Sequence, residues 1–221
     1  MLTPKFMIFL FLGTLAMLIP ICIQAKWYGV KWWKTIVIAL LLTVSGTLGT
    51  YLWFFVENGR FGGRSFYGAV FIVPVLFILV SLVFRIPYGK LMDLCAPAEC
   101  IMLVLMKALC VLEGCCKGRI LFENAQGLPV RFPSQIAELV NALILLVILM
   151  YLSHKKENRG KIYPMYLLTY GASRFVLNFF RDVWAETWMP MGTLWSILAM
   201  VIGGGILVYL KKKNEKAKDR I

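Results

Sequence analysis

The chain has 221 residues, 60% of them hydrophobic, with a formal net charge of +13 and a mean hydropathy of +0.77. An ordinary soluble domain is excluded, because such domains are only about 45–50% apolar. The charge would suit a nucleic-acid partner, but the basic residues sit in short loops and in a tail without interleaved aromatics, so no nucleic acid is expected and an anionic lipid surface explains the tail better.

Phe6 to Ala25 is the first uncharged apolar run. It is long enough to cross a hydrocarbon core of about 30 Å as a helix. Only Lys5 gives it a basic start and no convincing small-x-small site follows it, so it reads as a span and not as a cleaved signal. Thr35 to Val56, Ser65 to Phe84 and Thr187 to Leu210 are three more runs of this kind. Three weaker segments lie between them: Cys100 to Leu112, Leu139 to Ser153, and Ile162 to Phe180. Lys107 interrupts the first and Arg174 the last. A charge facing lipid at mid-membrane costs about 2.5–3.5 kcal/mol by insertion scales, so these segments are expected to line a protein interior or a water-filled cavity. The fold class is therefore an all-α membrane protein, a polytopic bundle of about seven transmembrane helices. Residues 1–210 are expected to form one membrane domain and 211–221 a basic tail.

Short basic loops set the orientation. Lys26, Lys31 and Lys34 follow the first span, and Arg85 and Lys90 follow the third. Lys155, Lys156, Arg159 and Lys161 follow the fifth, and Lys211, Lys212, Lys213, Lys216, Lys218 and Arg220 are in the tail. With seven spans all four groups fall on one side, which places the N-terminus outside and the C-terminus in the cytoplasm.

The six cysteines form no C-x-x-C pair, the adjacent Cys115 and Cys116 are poorly placed to bridge each other, and His154 is the only histidine. A zinc site of the His/Cys type is not expected, nor is any other metal or cofactor.

Four polar stretches interrupt this apolar background. Gly62-Gly63-Arg64-Ser65-Phe66-Tyr67-Gly68 opens the third run, where glycines allow close backbone approach and a helix N-terminus attracts anions. The same stretch also reads as a flexible loop with Tyr67 as an interfacial aromatic. Lys107 leads into Glu113-Gly114-Cys115-Cys116-Lys117-Gly118-Arg119. Lys107 and Glu113 are six apart and do not share a helix face, so Lys107 needs another partner, in protein or ligand. Arg131-Phe132-Pro133-Ser134-Gln135-Ile136-Ala137-Glu138 enters the fifth span. Pro133 marks a helix start, and Glu138 could cap it, pair with Lys107 or Arg174, or act as a base. Tyr170-Gly171-Ala172-Ser173-Arg174-Phe175 runs on to Asn178-Phe179-Phe180-Arg181. Arg174 and Asn178 share a face, with Arg181 close to it, which would present forked donors to phosphate or carboxylate.

Together, in this order and spacing, these motifs resemble the prolipoprotein diacylglyceryl transferase family, over about Gly62 to Leu210, with Met191-Gly192 and Ser196 similar to that family's final helix. The resemblance implies transfer of the diacylglyceryl group of phosphatidylglycerol to the lipobox cysteine thiol of a prolipoprotein in the bacterial cytoplasmic membrane. It implies Tyr67, Lys107, Glu138 and Arg174 as catalytic, and Gly68, Gly114, Gly118, Ser134, Gln135, Tyr170, Asn178 and Arg181 as substrate-binding. The sequence also departs from the family pattern. Tyr67 and Phe132 stand where the family carries histidine, Lys107 replaces arginine, Cys110 asparagine, Cys115 glutamate, and Asn178 glutamate. A protein that only binds anionic phospholipid, or uses another acceptor, is the alternative.

Overall fold

The computed structural model describes residues 3–182 and 190–218. The start of the last expected span (Thr187, Trp188, Met189) and Arg220 of the tail lie outside the described residues. Seven α-helices occur among the described residues: α1 Pro4–Tyr28, α2 Trp32–Asn58, α3 Tyr67–Phe84, α4 Tyr88–Glu113, α5 Ser134–His154, α6 Ile162–Asn178 and α7 Met191–Lys218. All but α6 are long and apolar enough to cross a membrane. The 17-residue α6 carries Arg174 and packs along α7 and α5, so it is sheltered by protein. Large apolar side chains on α2, α3, α5 and α7, among them Leu52, Leu79, Val147 and Val201, stay exposed, as helices in lipid require.

Two features depart from the expected layout. Helix α4 starts at Tyr88, twelve residues before the apolar segment at Cys100, because it keeps two buried acids inside its first half, Asp93 and Glu99. Asp93 explains its own burial. Its carboxylate accepts from Tyr28 Oη (2.9 Å) and from the backbone N–H of Gly160 (2.5 Å), Ile162 (2.9 Å) and Tyr163 (3.3 Å). It thus satisfies the free donors that open α6 and ties α1, α4 and α6 together at one end. Gln24 braces the same end, donating to Asp93 O and to Ser153 Oγ. The second departure is a small antiparallel hairpin, β1 Ile120–Glu123 with β2 Pro129–Arg131, between α4 and α5. Helix α7 continues into the basic stretch after Leu210 as far as Lys218.

With seven alternating helices, the Asp93 end gathers the basic loops. Lys34 Nζ donates to Phe84 O there, and Arg159 lies over the Tyr28 ring. The opposite end collects the start of α3, the ends of α4 and α6, and the starts of α5 and α7. All four polar stretches therefore meet at one end of the bundle.

Candidate functional site

Glu138 is the hub. It lies one turn into α5 and is 3% exposed. No side-chain capping bond opens that helix, so the capping expectation gives way to pairing. Its Oε2 is ion-paired with Lys107 Nζ from α4 and with Arg174 Nη1 from α6. Its Oε1 lies 3.6 Å from Arg181 Nε. One carboxylate thus faces three cations. Buried charge without a counter-charge costs several kcal/mol, so the surplus of positive charge is a demand for an anion. Arg174 Nε is buried without a hydrogen bond among the described residues.

The Arg174–Asn178–Arg181 face expected from the sequence does not form as one helix stripe. Helix α6 ends at Asn178, and Arg181 lies beyond it in a turn closed by Arg181 N–H on Asn178 O. Arg181 reaches Glu138 by pairing its backbone with Gly118, while Arg119 N–H donates to Phe180 O and Asp182 N–H to Lys117 O. Arg131 fastens the same patch through Asp182, at 2.5 Å. An added Cβ at Gly118 would come within 2.0 Å of Phe132 O, so only glycine fits there.

Beside these cations lies a cavity of about 650 Å³. Tyr67, Lys107, Tyr170, Arg174 and Arg181 line it together with the apolar side chains of Phe6, Leu10, Met17 and Leu42 from α1 and α2. A lining that joins cations to apolar side chains suits an amphiphile. Tyr67 opens α3 and is buried. Its oxygen is 2.5 Å from Ser196 Oγ, and because Ser196 donates to Gly192 O, the Tyr67 O–H is the donor of that pair. Tyr170 packs its ring against Tyr67 and Tyr166. Arg64 also lines the cavity, with its guanidinium 3.9 Å over the Phe6 ring.

Several expected binding residues hold the frame and are not among the residues lining the cavity. Gly68 touches Gly49 across α2 and α3, where an added Cβ would meet Gly49 O at 2.0 Å. Gly114 ends α4 in a left-handed turn at φ +64°. Ser134 Oγ donates to Cys116 O (2.6 Å) and Gln135 Nε2 to Cys115 O (2.5 Å), so both side chains fix the cysteine turn. Asn178 is buried at the end of α6, against Gly192 of α7.

Two features of the site had weak signals in the sequence. Glu99 faces the cavity from within α4, near Tyr163 and Tyr166, and its carboxylate stands one residue before the apolar segment that starts at Cys100. The turn after Gly114 brings the sulfurs of Cys110, Cys115 and Cys116 within 4.8 Å of one another. Burial pushes the Cys115 thiol up. The Cys116 thiol is pulled down to about 5, first by its hydrogen bond with Cys110 and then by Lys107 and Arg181.

Residues 50–209 match the family model for prolipoprotein diacylglyceryl transferase. That is well over half of the chain, and the chain belongs to this family. Relatives named phosphatidylglycerol–prolipoprotein diacylglyceryl transferase include one from Geobacter sulfurreducens, 29% identical over 166 residues, covering 69% of this chain and 64% of the relative. Another, from Oleidesulfovibrio alaskensis, is 38% identical over 104 residues, 44% of this chain and 38% of the relative. A third, from Chlorobaculum tepidum, is 28% identical over 168 residues, 70% of this chain and 58% of the relative. The chain thus spans less than two thirds of the length of each of these three.

Proposed function

We propose that this family member transfers the diacylglyceryl group of phosphatidylglycerol to the lipobox cysteine thiol of a prolipoprotein. The observation that carries the reading is the convergence of Lys107, Arg174 and Arg181 on the single carboxylate of Glu138, beside a cavity that apolar side chains of α1 and α2 also line. The phosphodiester of phosphatidylglycerol supplies the missing negative charge, and its acyl chains lie against those apolar side chains. The acceptor sulfur loses its proton and attacks the glyceryl carbon that bears the phosphate. The carbon–oxygen bond breaks, and glycerol phosphate leaves with the electron pair. Negative charge grows on the departing phosphate oxygens, so fixed cations there lower the barrier. Arg174 provides the forked donor, and Lys107 and Arg181 add charge. Tyr67, once ionised to its phenolate, and Glu138 are the candidate acceptors of the thiol proton; Tyr67 lines the cavity and Glu138 is ion-paired with its cations. The basic end of the bundle faces the cytoplasm of a bacterial cell and the cation site faces the outer leaflet.

The test uses the purified chain, phosphatidylglycerol vesicles and a lipobox peptide, with the peptide's mass as readout. The expected result is a gain of one diacylglyceryl group, absent with phosphatidylcholine and absent for Arg174→Ala. Unmodified peptide, with phosphatidylglycerol bound to the parent chain and lost from Arg174→Ala, would instead establish a lipid-binding protein without turnover.

A further inference from the structure

We propose that Cys110, Cys115 and Cys116 form a three-thiolate seat for a thiophilic divalent ion such as zinc, with a fourth position open to the cavity for the acceptor thiol. No such sign is legible in the sequence, because the cysteines are spaced five and one apart and no C-x-x-C pair exists. The fold supplies the proximity. Helix α4 ends at Glu113, the chain reverses at Gly114, and the next two residues swing back over Cys110. All three sulfurs lie within 4.8 Å of one another. In a tetrahedral site with metal–sulfur bonds of about 2.3 Å the sulfurs stand about 3.8 Å apart, so small side-chain rotations close the set.

The turn is built and held. Cys116 adopts φ +56°, a left-handed conformation uncommon for a residue with a side chain. Ser134 and Gln135 grip the carbonyls of Cys116 and Cys115, and Cys115 N–H donates to Cys110 O. Each of the three cysteines lines the cavity that also holds Tyr67 and Arg174. Three protein ligands with a fourth position left open is the pattern of a catalytic zinc site, whereas structural sites are closed by four.

The chemistry extends the proposed transfer and, for the acceptor step only, rests on it. The three cysteines release their protons to water as they bind the ion. A substrate thiol taken as fourth ligand is acidified by the ion and held as thiolate, its proton passing to water in place of Tyr67 or Glu138. Its sulfur then forms the bond to the glyceryl carbon as the phosphate leaves. The ion keeps its oxidation state throughout, and no histidine base is needed.

Cobalt(II) is the probe, added to the detergent-purified chain under reducing conditions. Sulfur-to-cobalt charge-transfer and tetrahedral d–d bands should saturate at one ion per chain and vanish on addition of zinc(II). Cys110→Ser, Cys115→Ser and Cys116→Ser should each weaken binding at least tenfold, while Cys22→Ser leaves it unchanged. Should a variant fail to fold, zinc(II) protection of the parent chain is the second measurement: three fewer thiols should react with N-ethylmaleimide. Absence of the bands, or no protection, overturns the seat. A lipobox peptide should shift the d–d bands, and its Cys→Ser version should not. Bands that ignore the peptide, or full transfer after removal of metal by a chelator, overturn the open position. A band shift without peptide modification upholds the seat and its open position and overturns the transfer reaction alone.

Discussion

Replacing Glu138 by Gln removes the one carboxylate that Lys107 and Arg174 share, at nearly constant volume. Glu138 is 3% exposed and Lys107 only 9%, so water cannot take over the lost role. Breaking a buried ion pair from one side costs about 3–5 kcal/mol. For a chain of this size each kcal/mol moves the melting point by about 2–4 °C, which gives a fall of roughly 6–20 °C in a zwitterionic detergent. The same substitution increases the surplus positive charge, so an anionic lipid should stabilise the variant more than the parent. Melting both proteins with and without phosphatidylglycerol gives four values, and the expected outcome is a large deficit in zwitterionic detergent that shrinks in phosphatidylglycerol. Adding Lys107→Met to Glu138→Gln should recover part of the loss, with a coupling of about 0.5–3 kcal/mol. A Glu138→Gln melting point within about 2 °C of the parent in both lipids would refute the reasoning, because the carboxylate would then not be holding the cations.

Arg174→Lys keeps the charge but loses the fork, and should lower transfer to the lipobox peptide by about 100-fold with little change in melting point. Tyr67→Phe removes the O–H that donates to Ser196; if Tyr67 takes the thiol proton, the transfer rate should fall by at least about 100-fold with a melting point within a few degrees of the parent, as measured by peptide mass and by thermal unfolding. Gly68→Ala drives a methyl group into Gly49 O and should destabilise the chain by about 1–3 kcal/mol in denaturant unfolding, with any lipid bound in the residual folded fraction unchanged in affinity. Asp93→Ala strands the Tyr28 hydroxyl and three backbone N–H groups, and a loss of roughly 1–3 kcal/mol for each donor left unsatisfied should abolish recovery of folded protein.

The sequence by itself determined the bundle and the end at which its chemistry sits. Hydropathy is a local property, and a run such as Ser65 to Phe84 has one stable arrangement in lipid, a helix with all backbone bonds made internally. The cost of burying charge also made Lys107, Glu138 and Arg174 legible as residues that must find partners. Which partners they find was decided by the tertiary structure, since Lys107, Glu138, Arg174 and Arg181 come from four separate segments and an ion pair depends on distances no spacing encodes. The same limit hid Asp93, whose carboxylate is satisfied by backbone donors some 70 positions away. It hid the three-sulfur cluster, which exists only because α4 stops at Gly114 and the chain folds back on its last turn. Glycines showed the opposite failure. Gly68 and Gly118 look like ligand contacts in a sequence, yet their missing side chains make room for backbone oxygens of neighbouring segments. Local patterning fixes what each segment must bury, and only the packed chain fixes what it is buried against.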